Sequence, residues 1–333
     1  MAMKKFINDP DNIVAELLDG FALAHQDKVA LEGANLVVRA TPKSKDKVAL
    51  VTLGGSGHEP ALSGFVGEGM LDISVPGEVF AAPGPPRVME ALRLASRDAG
   101  ILFIVLNHEG DVMSANMALE MAKKENIRIA KVLTCEDISG GSREEPVDRR
   151  GLVGCLAVIK AAGAAAEAGR SLEECADIAQ RMADNMATLA VAVSGATHPS
   201  TGDFIAEIDD DVMVVGMGQH GEAGGGTQPL KTADATADIM LEALLNDLNV
   251  AAGDELMVLL NGVGATTLME LYLVLRRVHQ TLGGKEITLV RSFVGEFLTV
   301  QEMGGFQMCI ARLDAELKEL VNAPCNSPAL TVK

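Results

Sequence analysis

The chain has 333 residues, which is long enough for two average domains, and 48% of them are apolar. Acidic residues outnumber basic ones by 46 to 28, and the formal net charge of −18 argues against binding to nucleic acid or to anionic membranes. The five cysteines form no C-x-x-C pair, and the chain has neither a signal-peptide pattern nor a run of about 18 apolar residues. We therefore expect a cytoplasmic protein with reduced thiols and no membrane helix.

The first half of the chain alternates between strand and helix patterns. Runs of β-branched and apolar residues predict strands over 47–53, 101–106 and 128–134. Apolar residues at helical spacing predict helices over 111–127, 150–169 and 171–193. Ser171 and Glu174 have the spacing of a capping box, which supports the start of the last of these helices.

A second alternating series begins near residue 211. The predicted strands are 211–217, 254–261, 286–290 and 306–312. The predicted helices lie near 232–248 and 265–282 and begin again at Asp314. Strands that alternate with helices in both halves predict two α/β domains, each a sheet flanked by helices. We expect one domain over residues 1–190 and the other over 191–333.

A glycine-rich loop in the second half contains G-x-G-x-x-G as Gly216, Gly218 and Gly221. In a dinucleotide-binding fold such glycines open a helix whose N-terminus holds the pyrophosphate. Here EAGGGTQP follows, and the next predicted helix starts roughly ten residues later, so the context disfavours nucleotide binding. Glycine also lets the backbone approach a small ligand closely, and this loop presents His220.

Two loops in the first half also follow predicted strands and carry reactive side chains. His58 lies in GGSGHEP after the strand at 47–53, and His108 and Asp111 lie in LNHEGDVM after the strand at 101–106. Catalytic groups in α/β sheets gather on loops beyond the carboxyl ends of the strands. These side chains therefore predict an acid/base constellation.

Other functions that these loops could serve each require a sequence motif that is incomplete or absent here. Histidines 58, 108 and 220 have glutamates one or two residues away that could help to ligate zinc, but H-E-x-x-H is absent and adjacent side chains chelate one ion poorly. Ser56 is not in the G-x-S-x-G turn of a serine nucleophile, and no G-x-x-x-x-G-K-[ST] phosphate loop occurs. We therefore expect no metal and no nucleotide to be bound by this chain.

Four motifs follow one another along the chain: GGSGHEP (54–60), PGEVFAAP (76–83), NHEGDVM (107–113) and GMGQHGEAG (216–224). Their order and approximate spacing resemble those of the dihydroxyacetone kinase family, specifically its ketose-binding subunit. The resemblance covers nearly the whole chain and implies a homodimer of two-domain α/β subunits.

The resemblance implies that His220 bonds covalently, through an imidazole nitrogen, to the carbonyl carbon of a short ketose and forms a hemiaminal. A neutral imidazole is a competent nucleophile, and glycerol is rejected because it has no carbonyl. By the same resemblance, Asp111 acts as a base on the hydroxyl that receives phosphate, or orients it, and His58 assists. Residues implied to contact the substrate are Gly54, Gly55, Ser56, Gly57, Leu106, His108 and Gly218.

The family resemblance also implies partners. The substrate is a short ketose, dihydroxyacetone or erythrulose, and the phosphoryl donor comes on a separate nucleotide-binding kinase subunit that carries ADP or ATP with magnesium. That subunit is recharged by a phosphotransferase-system protein in some systems and exchanges ATP in others, and the sequence leaves both open.

Two segments depart from the family's usual residues near the expected pocket. Many members read KNYTGD where this chain has LNHEGD, and FASP where it has FAAP. Leu106, His108, Glu109 and Ala82 therefore change the rim of the pocket, which could suit a longer ketose such as erythrulose or a branched pentulose. A non-catalytic coactivator that binds a ketose is a further alternative, although the three groups expected in catalysis are retained.

Overall fold

The computed structural model describes residues 5–222 and 224–333 and contains two six-stranded sheets. The elements up to residue 184 are α1 (Ile13–Ala24), β1 (Val29–Glu32), β2 (Leu36–Arg39), β3 (Ala49–Ser56), β4 (Ile73–Val79), α2 (Pro85–Ala95), β5 (Ile101–Leu106), α3 (Glu109–Lys124), β6 (Ile129–Thr134), α4 (Cys155–Glu167) and α5 (Leu172–Asp184). The first sheet has the strand order β1-β2-β4-β3-β5-β6. Strands β4, β3, β5 and β6 pair in parallel, and β2 is antiparallel to both of its neighbours.

The second sheet has a mostly antiparallel arrangement. The elements after residue 185 are β7 (Met186–Ser194), β8 (Ala196–Thr197), β9 (Phe204–Ile205), β10 (Val212–Val215), β11 (Gly226–Pro229), α6 (Ala233–Asp247), β12 (Glu255–Gly262), α7 (Leu268–Gly284), β13 (Thr288–Gly295), β14 (Gly304–Arg312), α8 (Ala315–Asn322), β15 (Cys325–Asn326) and β16 (Thr331–Val332). The sheet order is β11-β10-β7-β14-β12-β13, in which β12 and β13 pair in parallel. The two shortest pairs, β8 with β9 and β15 with β16, stand apart from the two large sheets.

A helical layer between the two sheets forms the centre of the molecule. Every residue of α4 from Cys155 to Ala166 is buried, and its apolar side chains share one core with both sheets and with α5 and α8. Helices α2 and α3 cover the opposite face of the first sheet, and α6 and α7 cover that of the second. The apolar character of α4 thus reflects burial between sheets. No helix within residues 5–222 and 224–333 is long and apolar enough to cross a bilayer.

The α/β architecture confirms the predicted fold class, with one error of assignment at the middle of the chain. The pattern over 171–193 predicts a single helix, but α5 ends at Asp184 and β7 follows at once. The segment MATLAVAVS alternates small and β-branched residues, and it pairs on both edges with β14 and β10, which overrides its helical propensity. Because β7 begins at Met186, the expected division at residue 190 lies within a strand of the second sheet. The sequence patterns predict neither α1, β1, β2, β4 and α2 nor the short strands β8, β9, β11, β15 and β16.

The close packing of α4 predicts the effect of a small substitution at Gly163. A Cβ atom there would lie 2.4 Å from the carbonyl oxygen of Gly69 and 2.7 Å from Cα of Met70. Because backbone atoms cannot easily move aside, we expect Gly163→Ala to lower the free energy of unfolding by roughly 1–3 kcal/mol. The measurement is urea denaturation followed by circular dichroism.

Gly20 in α1 provides the matched control, since a Cβ atom there has no neighbour within 4 Å. We expect Gly20→Ala to leave stability unchanged or to raise it by up to about 1 kcal/mol, the usual gain for alanine in a helix. Equal midpoints for the two variants would contradict the tight contact between α4 and residues 69–70.

Candidate active site

The first loop of the site follows β3 and carries His58. Gly55 is needed here because a Cβ atom would lie 2.8 Å from the backbone nitrogen of Ala81. The His58 ring is buried, and its Nδ1 lies 2.7 Å from the carbonyl oxygen of Thr299, which only accepts hydrogen bonds. Nδ1 therefore carries the hydrogen, and Nε2 has the free lone pair. Burial, with a further contribution from His220, lowers the pKa of His58 to about 3.

The second loop joins β5 to α3. His108 precedes the helix as its N-cap residue, and its Nε2 lies 2.8 Å from the carbonyl oxygen of Gly151. Burial is the main reason that its pKa falls to about 4. Asp111 is buried in the first turn of α3, and its Oδ1 has no hydrogen-bond partner among the described residues. Burial raises the pKa of this carboxyl to about 7, although the nearby His220 opposes the shift.

The third loop follows β10 and carries His220. Glycines let the two ends of this loop touch, since a Cβ atom on Gly224 would lie 1.6 Å from the carbonyl oxygen of Gly216. The Glu222 carboxylate accepts hydrogen bonds from the His220 backbone nitrogen at 2.8 Å and from its ring Nδ1 at 3.1 Å. Burial works against ionisation of Glu222, but the hydrogen bond and charge of His220 outweigh it and lower the pKa to about 2. Glu222 thereby fixes the hydrogen of the His220 ring on Nδ1.

The His58 and His220 rings meet across the site, with their Nε2 atoms 3.1 Å apart. Both Nδ1 atoms already donate hydrogen bonds, so two nitrogen lone pairs face each other when both rings are neutral. A proton on Nε2 of His220, donated to Nε2 of His58, satisfies both rings. When Nε2 of His220 carries no hydrogen, its lone pair can act as a nucleophile.

The three loops enclose a cavity of about 230 Å³, which is small beside the usual pockets for drug-sized ligands. Residues that line it are Gly54, Gly55, His58, Ala61, Leu62, Phe80, Ala81, Ala82, Leu106, His108, Glu109, Gly110, Asp111, Gln219, His220, Glu222 and Leu298. A dinucleotide is far too large for this space. The side chains that face one another here therefore suit a ligand of only a few carbon atoms.

Most of the residues expected at the site line this cavity: Gly54, Gly55, His58, Leu106, His108, Asp111 and His220. Ser56, Gly57 and Gly218 are not among the described residues that do. The Ser56 hydroxyl is buried and donates a hydrogen bond to the carbonyl oxygen of Gly77 at 2.8 Å, so it is turned into the protein.

Several residues that shape the site carry no clear signal in the sequence. Glu222 stands two residues after His220, and that spacing by itself indicates only a possible pair of metal ligands. Gln219 places its side-chain nitrogen 2.8 Å from Nε2 of His108. Thr299 and Leu298 belong to the segment between β13 and β14, and nothing in their local sequence indicates a role in the first sheet's loops.

Comparison with known proteins identifies the family, since residues 19–329 match the Dak1 domain. The chain belongs to the Dak1 domain family. This Dak1 chain is 38% identical over 315 residues to the PTS-dependent dihydroxyacetone kinase 1, dihydroxyacetone-binding subunit DhaK, of Listeria innocua, which covers 94% of this chain and 95% of that protein. The resemblance inferred from the four motifs is thereby confirmed.

Two other proteins similar to the Dak1 chain are named for different functions. It is 36% identical to the L-erythrulose kinase of Pectobacterium atrosepticum over 98% of its own length, and it spans 56% of that longer protein. Among solved structures, the dihydroxyacetone kinase operon co-activator Dha-DhaQ superposes with a TM-score of 0.89 at 28% identity, covering 95% of this chain and 98% of that one. The same fold therefore occurs in a kinase subunit, a longer kinase and a coactivator.

The buried carboxyl of Asp111 predicts a pH-dependent gain in stability when it is replaced. Its folded pKa of about 7 lies above the ordinary value of 3.8, so the folded state loses stability as pH rises between these two values. We expect Asp111→Asn to unfold at about the wild-type denaturant midpoint near pH 4. At pH 8 it should gain on the order of 1–3 kcal/mol.

Urea denaturation at the two pH values measures this difference. Asp210→Asn is the control, because Asp210 is exposed and its substitution should leave stability within about 0.5 kcal/mol of wild type at both pH values. A variant at position 111 that is less stable than wild type at pH 8 would show that the carboxylate has a favourable partner in the folded protein.

Proposed function

We propose that this chain is the substrate-binding subunit of a dihydroxyacetone kinase. It binds the ketose covalently as a hemiaminal on His220 and presents a terminal hydroxyl to a partner subunit that carries the nucleotide. The observation that carries this proposal is the cavity itself. Nε2 of His220 and the unpartnered Oδ1 of Asp111 belong to residues that line one space of about 230 Å³. Full-length similarity to subunits named for dihydroxyacetone binding supports it.

The covalent step uses the ring arrangement of His220. In the neutral ring the hydrogen lies on Nδ1, next to Glu222, and Nε2 keeps a free lone pair on a residue that lines the cavity. That lone pair forms a bond to the ketone carbon while the carbonyl π electrons move to oxygen. The ring loses its Nδ1 proton and the oxygen gains one, so the hemiaminal forms without a net change in protons. Bond formation selects for a carbonyl group, which a polyol such as glycerol lacks.

The transfer step uses Asp111. A carboxyl with pKa about 7 and a free oxygen is suited to accept the proton of the terminal hydroxyl near neutral pH. The hydroxyl oxygen then bonds to the γ-phosphorus of ATP, and the bond from that phosphorus to ADP breaks. His58 stays uncharged at this pH and assists by hydrogen bonding. Nucleotide and magnesium are held by the partner subunit, and this chain acts as a homodimer.

A longer ketose is the second candidate substrate. The similarity to an L-erythrulose kinase supports it, as does the rim of the cavity. Ala82 and Leu106 line the cavity in place of the serine and lysine of many relatives, and His108 also lines it. Extra space and an added imidazole suit the additional hydroxymethyl group of erythrulose or the carbons of a branched pentulose.

A non-catalytic coactivator is the third candidate, supported by the structural similarity to Dha-DhaQ. His58, Asp111 and His220 all line the cavity here, which favours catalysis over ligand sensing alone. Phosphate transfer in the presence of a nucleotide subunit separates the two functions.

The covalent step predicts a mass change on His220. Native mass spectrometry of the full chain should show an adduct of whole-ketose mass with dihydroxyacetone and with erythrulose, and none with glycerol. His220→Ala should lose the adduct entirely because it lacks the nucleophile, whereas the exposed His279→Gln should keep it. An adduct that survives in His220→Ala, or that forms with glycerol, would contradict this chemistry.

The transfer step predicts that a substitution at Asp111 lowers turnover but leaves ketose binding unchanged. With a nucleotide-binding kinase subunit, ATP and magnesium, Asp111→Asn should form the adduct as wild type does. It should lose about 100- to 10,000-fold in turnover because the base is missing. Phosphorylated ketose is measured for dihydroxyacetone and erythrulose in parallel, with Asp210→Asn as control. Wild-type turnover in Asp111→Asn would remove the proposed base, and no turnover in wild type with either sugar would favour the coactivator.

A further inference from the structure

We propose that His108, His220 and Glu222 form a binding site for one divalent transition-metal ion of the zinc type, and that metal and ketose exclude each other. The first half of this proposal stands on the geometry of the metal-free chain alone. The second half rests on the proposed covalent role of His220. Such a site would let the ion control access of the ketose to the enzyme.

The three side chains converge from two separate loops. One nitrogen or oxygen atom from each lies within 4.8 Å of those from the other two. A tetrahedral zinc ion with bonds of about 2.0–2.1 Å holds its ligands roughly 3.3 Å apart, so a modest inward movement of the side chains closes the site. Adjacent side chains chelate one ion poorly, but His108 and His220 are far apart in the sequence and are brought together by the packing of the two sheets.

The hydrogen bonds around these ligands have the pattern found around bound metals. A metal-binding histidine usually donates its other ring N–H to a carbonyl or carboxylate oxygen. His108 lies 2.8 Å from the carbonyl oxygen of Gly151 through Nε2, and Nε2 of His220 lies 3.1 Å from Nε2 of His58, which can accept its hydrogen. Nδ1 of each ring is thereby left for the ion, and Nδ1 of His220 lies 3.1 Å from the Glu222 carboxylate, which keeps free lone pairs.

One positively charged side chain lies near the proposed site. Arg150 lies 3.9 Å from Glu222, but its guanidinium also contacts Asp137, which offsets the charge.

Metal and ketose must compete because both depend on the His220 ring. An ion on Nδ1 of His220 moves the ring hydrogen to Nε2, where Nε2 of His58 can accept it. Nε2 of His220 then has no lone pair for the ketone carbon. A metal-loaded chain therefore has no nucleophile to offer.

Cobalt(II) is the probe, because its visible absorption reports tetrahedral coordination by nitrogen and oxygen. We expect the full wild-type chain to bind one cobalt ion saturably, and zinc to displace it. His108→Gln and Glu222→Gln should each weaken cobalt binding at least tenfold, since loss of a direct ligand costs no less than the ~10-fold loss seen for outer partners. His279→Gln and Cys135→Ser should bind as wild type does, because both residues lie outside the site.

Circular dichroism of each variant confirms that it is folded, and the use of two ligand variants keeps the test valid if one of them is not. The absence of saturable cobalt binding would overturn the metal site. So would wild-type affinity in both ligand variants, or a spectrum that disappears in Cys135→Ser, which would assign the ion to a thiol.

Dihydroxyacetone tests the exclusion. Added to the cobalt-loaded chain, it should abolish the tetrahedral spectrum, and glycerol at the same concentration should not. If the metal-free chain forms the ketose adduct while the cobalt spectrum stays unchanged in its presence, mutual exclusion is overturned. A chain that binds cobalt through His108 and Glu222 but forms no ketose adduct would uphold the metal site and overturn the proposed function instead.

Discussion

The contact between the His58 and His220 rings joins the two halves of the molecule at the site. His58 follows a strand of the first sheet and His220 follows a strand of the second, yet their Nε2 atoms lie 3.1 Å apart. The hydrogen bond from His58 to Thr299 crosses between the sheets in the same place. Since the buried helix α4 sets how the sheets pack, the reactive geometry depends on the whole core.

The site brings together buried ionisable side chains that lower the stability of the folded protein. Asp111 is buried, with one oxygen that has no hydrogen-bond partner in the part of the chain that the structure describes, and two histidines are kept uncharged by burial. Each of these groups lowers the stability of the folded protein in some pH range. The apolar core that α4 shares with the sheets must offset this loss of stability. The same burial leaves a carboxyl with a pKa of about 7 and an imidazole lone pair on residues that line one small space, as the proposed chemistry requires. Stability and reactivity are thus opposed at Asp111.

Local patterns in the sequence were enough to predict the sheet strands that carry the site, because runs such as 101–106 are strongly apolar and β-branched. They also predicted that His58, Asp111 and His220 follow strands. They did not predict β7, whose alanines also suit a helix until pairing with β14 and β10 decides otherwise. The contact of His58 with Thr299 depends on residues 241 positions apart, which no local pattern encodes. The tautomer of His220 likewise follows from the position of the Glu222 side chain.

The central claim is that His220 forms a carbon–nitrogen bond with a ketose, and NMR spectroscopy tests that bond directly. Dihydroxyacetone labelled with carbon-13 at the carbonyl is added to the chain labelled with nitrogen-15 in histidine. We expect the bound carbon signal to move from the ketone region to the tetrahedral region and to couple to one histidine nitrogen, with neither change in His220→Ala. A bound ketose whose carbon keeps its ketone shift, without coupling to nitrogen, would contradict covalent binding.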